Sequence, residues 1–173
     1  MTGEPASFGS AAYGAWLGVL LTARGADFLS TWVATPNLVL EGNPIARRLG
    51  WRFGALVNLI ACAVCALLPI AAIVVATTSV LVAARNFQSA WVMRTMGETA
   101  YRHWYASRLR EAPRPLYLVC LGAQAALTSS IGVALITWAP LDSLPFALGI
   151  GVLFYAGAIL LFSLIAAWRI QRH

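Results

Sequence analysis

Charge is scarce in this chain, and lysine is missing altogether. Only 10% of the 173 residues are charged and 60% are hydrophobic, with a mean hydropathy of +0.76, whereas an ordinary soluble domain carries about 25% charged residues. That deficit excludes a soluble globular domain and predicts an all-α integral membrane protein. Histidine is confined to His103 and His173, neither in an HExxH pattern, so metal-dependent hydrolysis lacks its ligands. Cysteine is confined to Cys62, Cys65 and Cys120. The Cys62-x-x-Cys65 spacing lies in an apolar run with no second pair and no nearby histidine, which favours helix packing over redox or zinc chemistry. The glycines form no phosphate loop: Gly149, Gly151 and Gly157 fall in the last apolar run, where small residues permit close helix approach. Neither a metal centre nor a cofactor is predicted. The first ten residues hold no Lys or Arg, so no cleavable signal peptide is expected and the first apolar run should remain.

Apolar runs are abundant. Residues 13–35, 116–138 and 146–168 each approach the length of about 20 residues that crosses a bilayer as a helix. Residues 53–84 are apolar for 32 positions, about 48 Å as one straight helix at about 1.5 Å per residue, which is too long for a hydrocarbon core of about 30 Å. Pro69 lies near the middle of that run. Proline lacks an amide donor and disfavours helix in the residue before it, so the run divides into spans at about 48–68 and 70–86. The alternative is a single proline-kinked helix and four spans in all.

The arginines favour the division. With five spans and the N-terminus outside, Arg47, Arg48 and Arg52, then six arginines from Arg85 to Arg114, then Arg169 and Arg172 all fall on the cytoplasmic side, in keeping with the positive-inside tendency. With four spans the first three move outside. The predicted protein is thus one membrane domain, multi-pass in the inner membrane, with its C-terminus cytoplasmic. The formal net charge of +6 then serves orientation and anionic lipid rather than nucleic acid, since no soluble recognition fold accompanies it.

Residues 23–48 break the apolar pattern. Arg24 and Asp27 are spaced i, i+3 and Asp27 and Thr31 i, i+4, so the three share one helix face. A charge in lipid costs at least about 2.5 kcal/mol, so that face should point at protein or water. Asn43-Pro44 reads as an N-cap followed by proline at the first helical position. Glu41 then lies near the positive end of that helix's dipole, which favours its ionised form. In the five-span arrangement Asn58 and Asn86 fall at the same depth, making Arg24, Asp27, Thr31, Glu41, Asn43, Asn58 and Asn86 candidates for a ligand or ion site built from the first three helices.

The combination of Asp27-x-x-x-Thr31 with Glu41-x-Asn43-Pro44, followed by two apolar segments ending near Asn86, resembles a group of small bacterial and archaeal polytopic membrane proteins of unknown function. The resemblance covers residues 18–86. It implies that Asp27, Thr31, Glu41, Asn43 and Pro44 belong together and that residues 51–86 form a hairpin. Asn58 stands where members of the group often carry lysine, and the resemblance supplies no activity.

Residues 89–110 combine aromatics and arginines, among them Trp91, Arg94, Arg102, Trp104 and Arg108. Arg94, Glu98 and Arg102 are spaced to form a ladder on one helix face. The segment is predicted to be an amphipathic helix on the cytoplasmic interface, its arginines toward anionic headgroups. No catalytic motif is recognisable. The leading expectation is binding or transport of a small ligand or ion in the cytoplasmic half of the bundle. Two alternatives stand beside it: a membrane-embedded enzyme acting on a lipid or headgroup, and a non-catalytic subunit or assembly factor with a homo-oligomeric or membrane-complex partner.

Overall fold

The computed structural model describes residues 4–172, with side chains through Arg169; the sequence expectations for the Arg172 side chain and for His173 fall outside the described part. The chain is all-α: α1 (Ala11–Ala34), α2 (Pro44–Cys65), α3 (Pro69–Met96), α4 (Glu98–Glu111), α5 (Arg114–Trp138) and α6 (Leu144–Arg172). Four of these, α2, α3, α5 and α6, are long and apolar enough to cross a membrane. Together they make a polytopic membrane bundle.

Local chemistry sets most boundaries. Ser10 caps α1, its Oγ accepting from the Tyr13 amide at 3.1 Å, and the helix stops at Ala34, leaving Thr35 as the non-helical residue before Pro36. Asn43 caps α2 as its sequence predicts, with Oδ1 accepting from the amides of Ile45 and Ala46 and Pro44 in the first turn. Gly50 interrupts α2 with φ 67 and ψ −175, a conformation that L side chains rarely adopt. The straight part of α2, residues 51–65, therefore rises only about 22 Å.

The long apolar run is a hairpin. Leu68 is extended, as expected of a residue before proline, and Pro69 opens α3. Asn58 and Ser79 lie on opposite sides of this turn in sequence, yet both bond the same Arg24 guanidinium, which a single kinked helix could not arrange.

α1 packs chiefly against α3, the principal helix contact, with α5 on α6 and α3 on α6 next. At one end the Tyr13 hydroxyl donates to the Ala63 carbonyl at 3.3 Å; at the other Thr35 Oγ1 donates to Glu98 Oε2 at 2.8 Å. Leu20, Ala23, Cys62, Ala66 and Ala72 form the core between α1 and the hairpin. Cys62 acts there as a small apolar side chain. A Cβ added at Gly149 would lie 2.8 Å from the Gly132 carbonyl, and one at Gly151 2.7 Å from Thr77 Cβ, so these glycines do permit close packing. Gly157 does not, since a Cβ there meets nothing within 4 Å.

The segment 89–110 is not one helix. Residues through Met96 continue α3, Gly97 breaks the chain with φ 81, and α4 begins at Glu98. Trp91 and Arg94 accordingly belong to α3, which at 28 residues is about 42 Å long and extends well beyond the expected span. The predicted Arg94, Glu98, Arg102 ladder is broken at Gly97. Arg94 instead places Cζ 5.7 Å from the centre of the Trp32 ring, a cation–π contact. Arg102, Trp104 and Arg108 are exposed on α4, and Arg108 pairs with Glu111 at 2.8 Å.

Candidate functional site

α1 carries the polar face that the sequence predicts, and the hairpin meets it. Arg24 Nη1 donates to Asp27 Oδ2 at 2.8 Å and to Ser79 Oγ at 3.1 Å, while Nε donates to Asn58 Oδ1 at 2.7 Å. Nη2 donates to the same Asn58 oxygen, so the planar guanidinium holds that amide with two donors. The Asn58 amide nitrogen is itself spent on the Gly54 carbonyl at 2.7 Å. One cation thus ties α1, α2 and α3 together, with geometry that an ammonium group could not reproduce. Ser79, which is almost wholly buried, is a partner the sequence did not single out.

Further along α1, Ser30 Oγ donates to the Asp27 carbonyl at 2.8 Å. Asn86 Nδ2 reaches the hydroxyls of Ser30 at 3.2 Å and Thr31 at 3.3 Å. The buried hydroxyls on α1 therefore find their partners on α3, as buried polar groups must.

The connection between α1 and α2 is held from outside its own sequence. Glu98 Oε1 accepts from the Asn37 amide at 2.9 Å and Asn37 Nδ2 at 3.0 Å; Oε2 accepts from the Val39 amide at 3.1 Å and from Thr35 Oγ1 at 2.8 Å. Burial pushes the Glu98 carboxyl up, but these bonds outweigh it and hold the group below the ordinary carboxylate value. Leu38, enclosed by the clasp, takes φ 57, a strained backbone for a residue with a branched side chain. Trp51 Nε1 donates to the Pro36 carbonyl at 2.8 Å and its ring meets Phe28 edge-on at 5.9 Å, fastening the start of the straight part of α2 to the same connection.

These elements border an open-sided cavity of about 570 Å³, and all seven sequence candidates, Arg24, Asp27, Thr31, Glu41, Asn43, Asn58 and Asn86, line it. Its size is that of a pocket for a small organic molecule. Glu41 Oε1 accepts from the Asn43 amide at 2.7 Å. Burial pushes the Glu41 carboxyl above its ordinary value, and the amides of Asn43 and Gly42 offset this only in part. Dehydration in the cavity wall therefore wins over the favourable helix end that the sequence suggests.

The walls extend beyond the first three helices. α6 contributes Ala158, Ile159, Phe162 and Ser163, α4 contributes Tyr105, and α3 adds Arg85. Sequence reasoning left these out of the site: the α6 residues are indistinguishable from other apolar spanning residues, and Arg85 looks like an interfacial anchor. Among the described residues no group of three His, Cys, Asp or Glu side chains is placed to hold a metal. No family model, curated protein or solved structure matches the chain.

Proposed function

We propose that this multi-pass membrane protein binds a small ligand within the bundle, in the cavity between α1, α2, α3 and α6. The observation that carries the reading is the convergence of Asp27, Asn58 and Asn86 from the helices, with Glu41 and Asn43 from the α1–α2 connection, on one open-sided space of about 570 Å³, since polar groups gathered within a membrane bundle mark binding sites and ion paths. Packing gives α2 the role of the movable wall. It touches α1 and α3 only sparsely, exposes Phe53, Leu56 and Ile60 outward, and carries the Gly50 break. A ligand enters beside it.

Ala158 on α6 lines the cavity, and phenylalanine there would fill much of the space. The wild type extracted in mild detergent should carry a non-covalent small molecule in native mass spectra, and Ala158→Phe should lose it while staying folded. Identical spectra from the two proteins would oppose the reading.

The same arrangement supports a reading of the orientation. The 35–43 connection meets Glu98, so Arg47, Arg48 and the arginines of α4 share one end of the bundle, and positive charge favours the cytoplasmic side. Counting α1 as a fifth span beside α3 places the N-terminus outside and the C-terminus in the cytoplasm of a plasma membrane. The exposed Arg102, Trp104 and Arg108 of α4 then face anionic headgroups. Reporter fusions at the two termini should give opposite signals, and the same signal from both would contradict this topology.

A further inference from the structure

Two arginines line the cavity, and they differ in what they have left to give. Arg24 is committed to Asp27, Asn58 and Ser79. Arg85 is not: its Nη1 is buried with no hydrogen-bond partner. Neither the Arg24–Asp27 pair nor the Arg108–Glu111 pair includes it. Among the described residues neither cavity carboxylate forms an ion pair with it: Asp27 is paired to Arg24 at 2.8 Å, and Glu41 turns Oε1 to the Asn43 amide. A buried donor on a charged group is costly to leave unsatisfied, and guanidinium matches phosphate and carboxylate oxygens with two parallel bonds. Apolar side chains make up much of the cavity wall, among them Phe28, Leu40, Leu49, Ile159 and Phe162.

Building on the binding role proposed above, we infer that Arg85 is the anion-holding residue of this cavity and that the ligand carries an oxyanion head of the phosphate or carboxylate type. The apolar walls receive its hydrocarbon part where it has one. Tyr105 of α4 also lines the cavity.

Thermal shift in neutral maltoside micelles tests this with four probes: dodecyl phosphate, inorganic phosphate, dodecyltrimethylammonium and dodecanol. Dodecyl phosphate should raise the wild-type Tm, and the cationic and neutral amphiphiles should not. Arg85→Gln should bind dodecyl phosphate at least tenfold more weakly, a loss of about 1.4 kcal/mol, with an unliganded Tm no lower than wild type because the partly buried, unpaired charge is gone. Arg85→Lys, which keeps the charge but not the fork, should lie between the two and serves if the glutamine variant does not fold. Dodecyl phosphate binding well below the concentration needed for inorganic phosphate identifies a membrane amphiphile. Equal potency identifies a soluble oxyanion, and both results support Arg85 as the holder. Unchanged affinity in Arg85→Gln, or stabilisation by dodecyltrimethylammonium equal to that by dodecyl phosphate, would overturn the anion assignment while leaving a ligand cavity in place. Silence from all four probes would overturn the anion assignment, and silence joined to identical native mass spectra for wild type and Ala158→Phe would remove the binding role as well.

Discussion

Replacing Arg24 with alanine is expected to lower the unfolding free energy by about 3–5 kcal/mol, the cost of removing one partner of a buried ion pair. Three separate losses combine. Asp27, mostly buried at 15% exposed, keeps its charge with no cation beside it. Asn58 loses two donors to its Oδ1, and Ser79 loses its only link to α1. The effect is large because the guanidinium bonds both arms of the hairpin, while α2 has few contacts with α1 and α3 to hold it. Arg24→Lys should recover only part of the loss, since one ammonium cannot meet an amide, a carboxylate and a hydroxyl in this geometry. Asp27→Asn should be milder than Arg24→Ala, because the amide oxygen still accepts from Arg24. Thermal melts in detergent rank the three variants, and an Arg24→Ala protein as stable as wild type would show that the pair does not hold the hairpin.

Glu98→Gln should cost about 1.5–3 kcal/mol, the range for hydrogen bonds to a charged group. An amide offers one oxygen where the carboxylate uses two, and its nitrogen would face donors. The pH dependence carries the diagnostic sign. The folded carboxyl is held below the ordinary value of 4.5, so the folded state binds fewer protons than the unfolded chain as pH falls through this region. The stabilisation is fully present above about 4.5 and is lost as pH drops through the lower folded value. Glu41 has the opposite sign: its raised carboxyl favours the folded state at low pH and loses that contribution as pH rises through its folded value. The clean measurement is therefore the difference between wild type and Glu98→Gln at each pH. That difference should shrink on acidification below about 4.5, and a constant difference would mean that the clasp does not depend on the charge.

What the sequence disclosed was governed by composition and by local rules. Hydropathy gives the membrane class, Pro69 gives the hairpin, and Asn43-Pro44 gives the start of α2, because each depends on neighbouring residues alone. The depth argument also gathers the right polar groups: Asp27, Thr31, Glu41, Asn43, Asn58 and Asn86 do line one cavity. Rotation and long-range pairing were not legible. Glu98 is spaced to join a ladder with Arg94 and Arg102, yet it bonds residues roughly sixty positions away, because Gly97 turns the chain first. Arg85 and Ser79 sit in an apolar helix whose inward face depends on how α1 and α6 pack against it, which no spacing on α3 reveals. Glu41 shows the limit of a helix-end argument, since the burial that opposes its ionisation comes from tertiary packing.

A density map of the protein in lipid nanodiscs, at a resolution that defines side chains, tests the central claim most directly. The account predicts Asp27, Glu41, Asn58 and Arg85 around one space between α1, α2, α3 and α6, with non-protein density in it that meets Arg85. α2 packed flush against α6, with the space closed and Arg85 turned out to the headgroups, would contradict it.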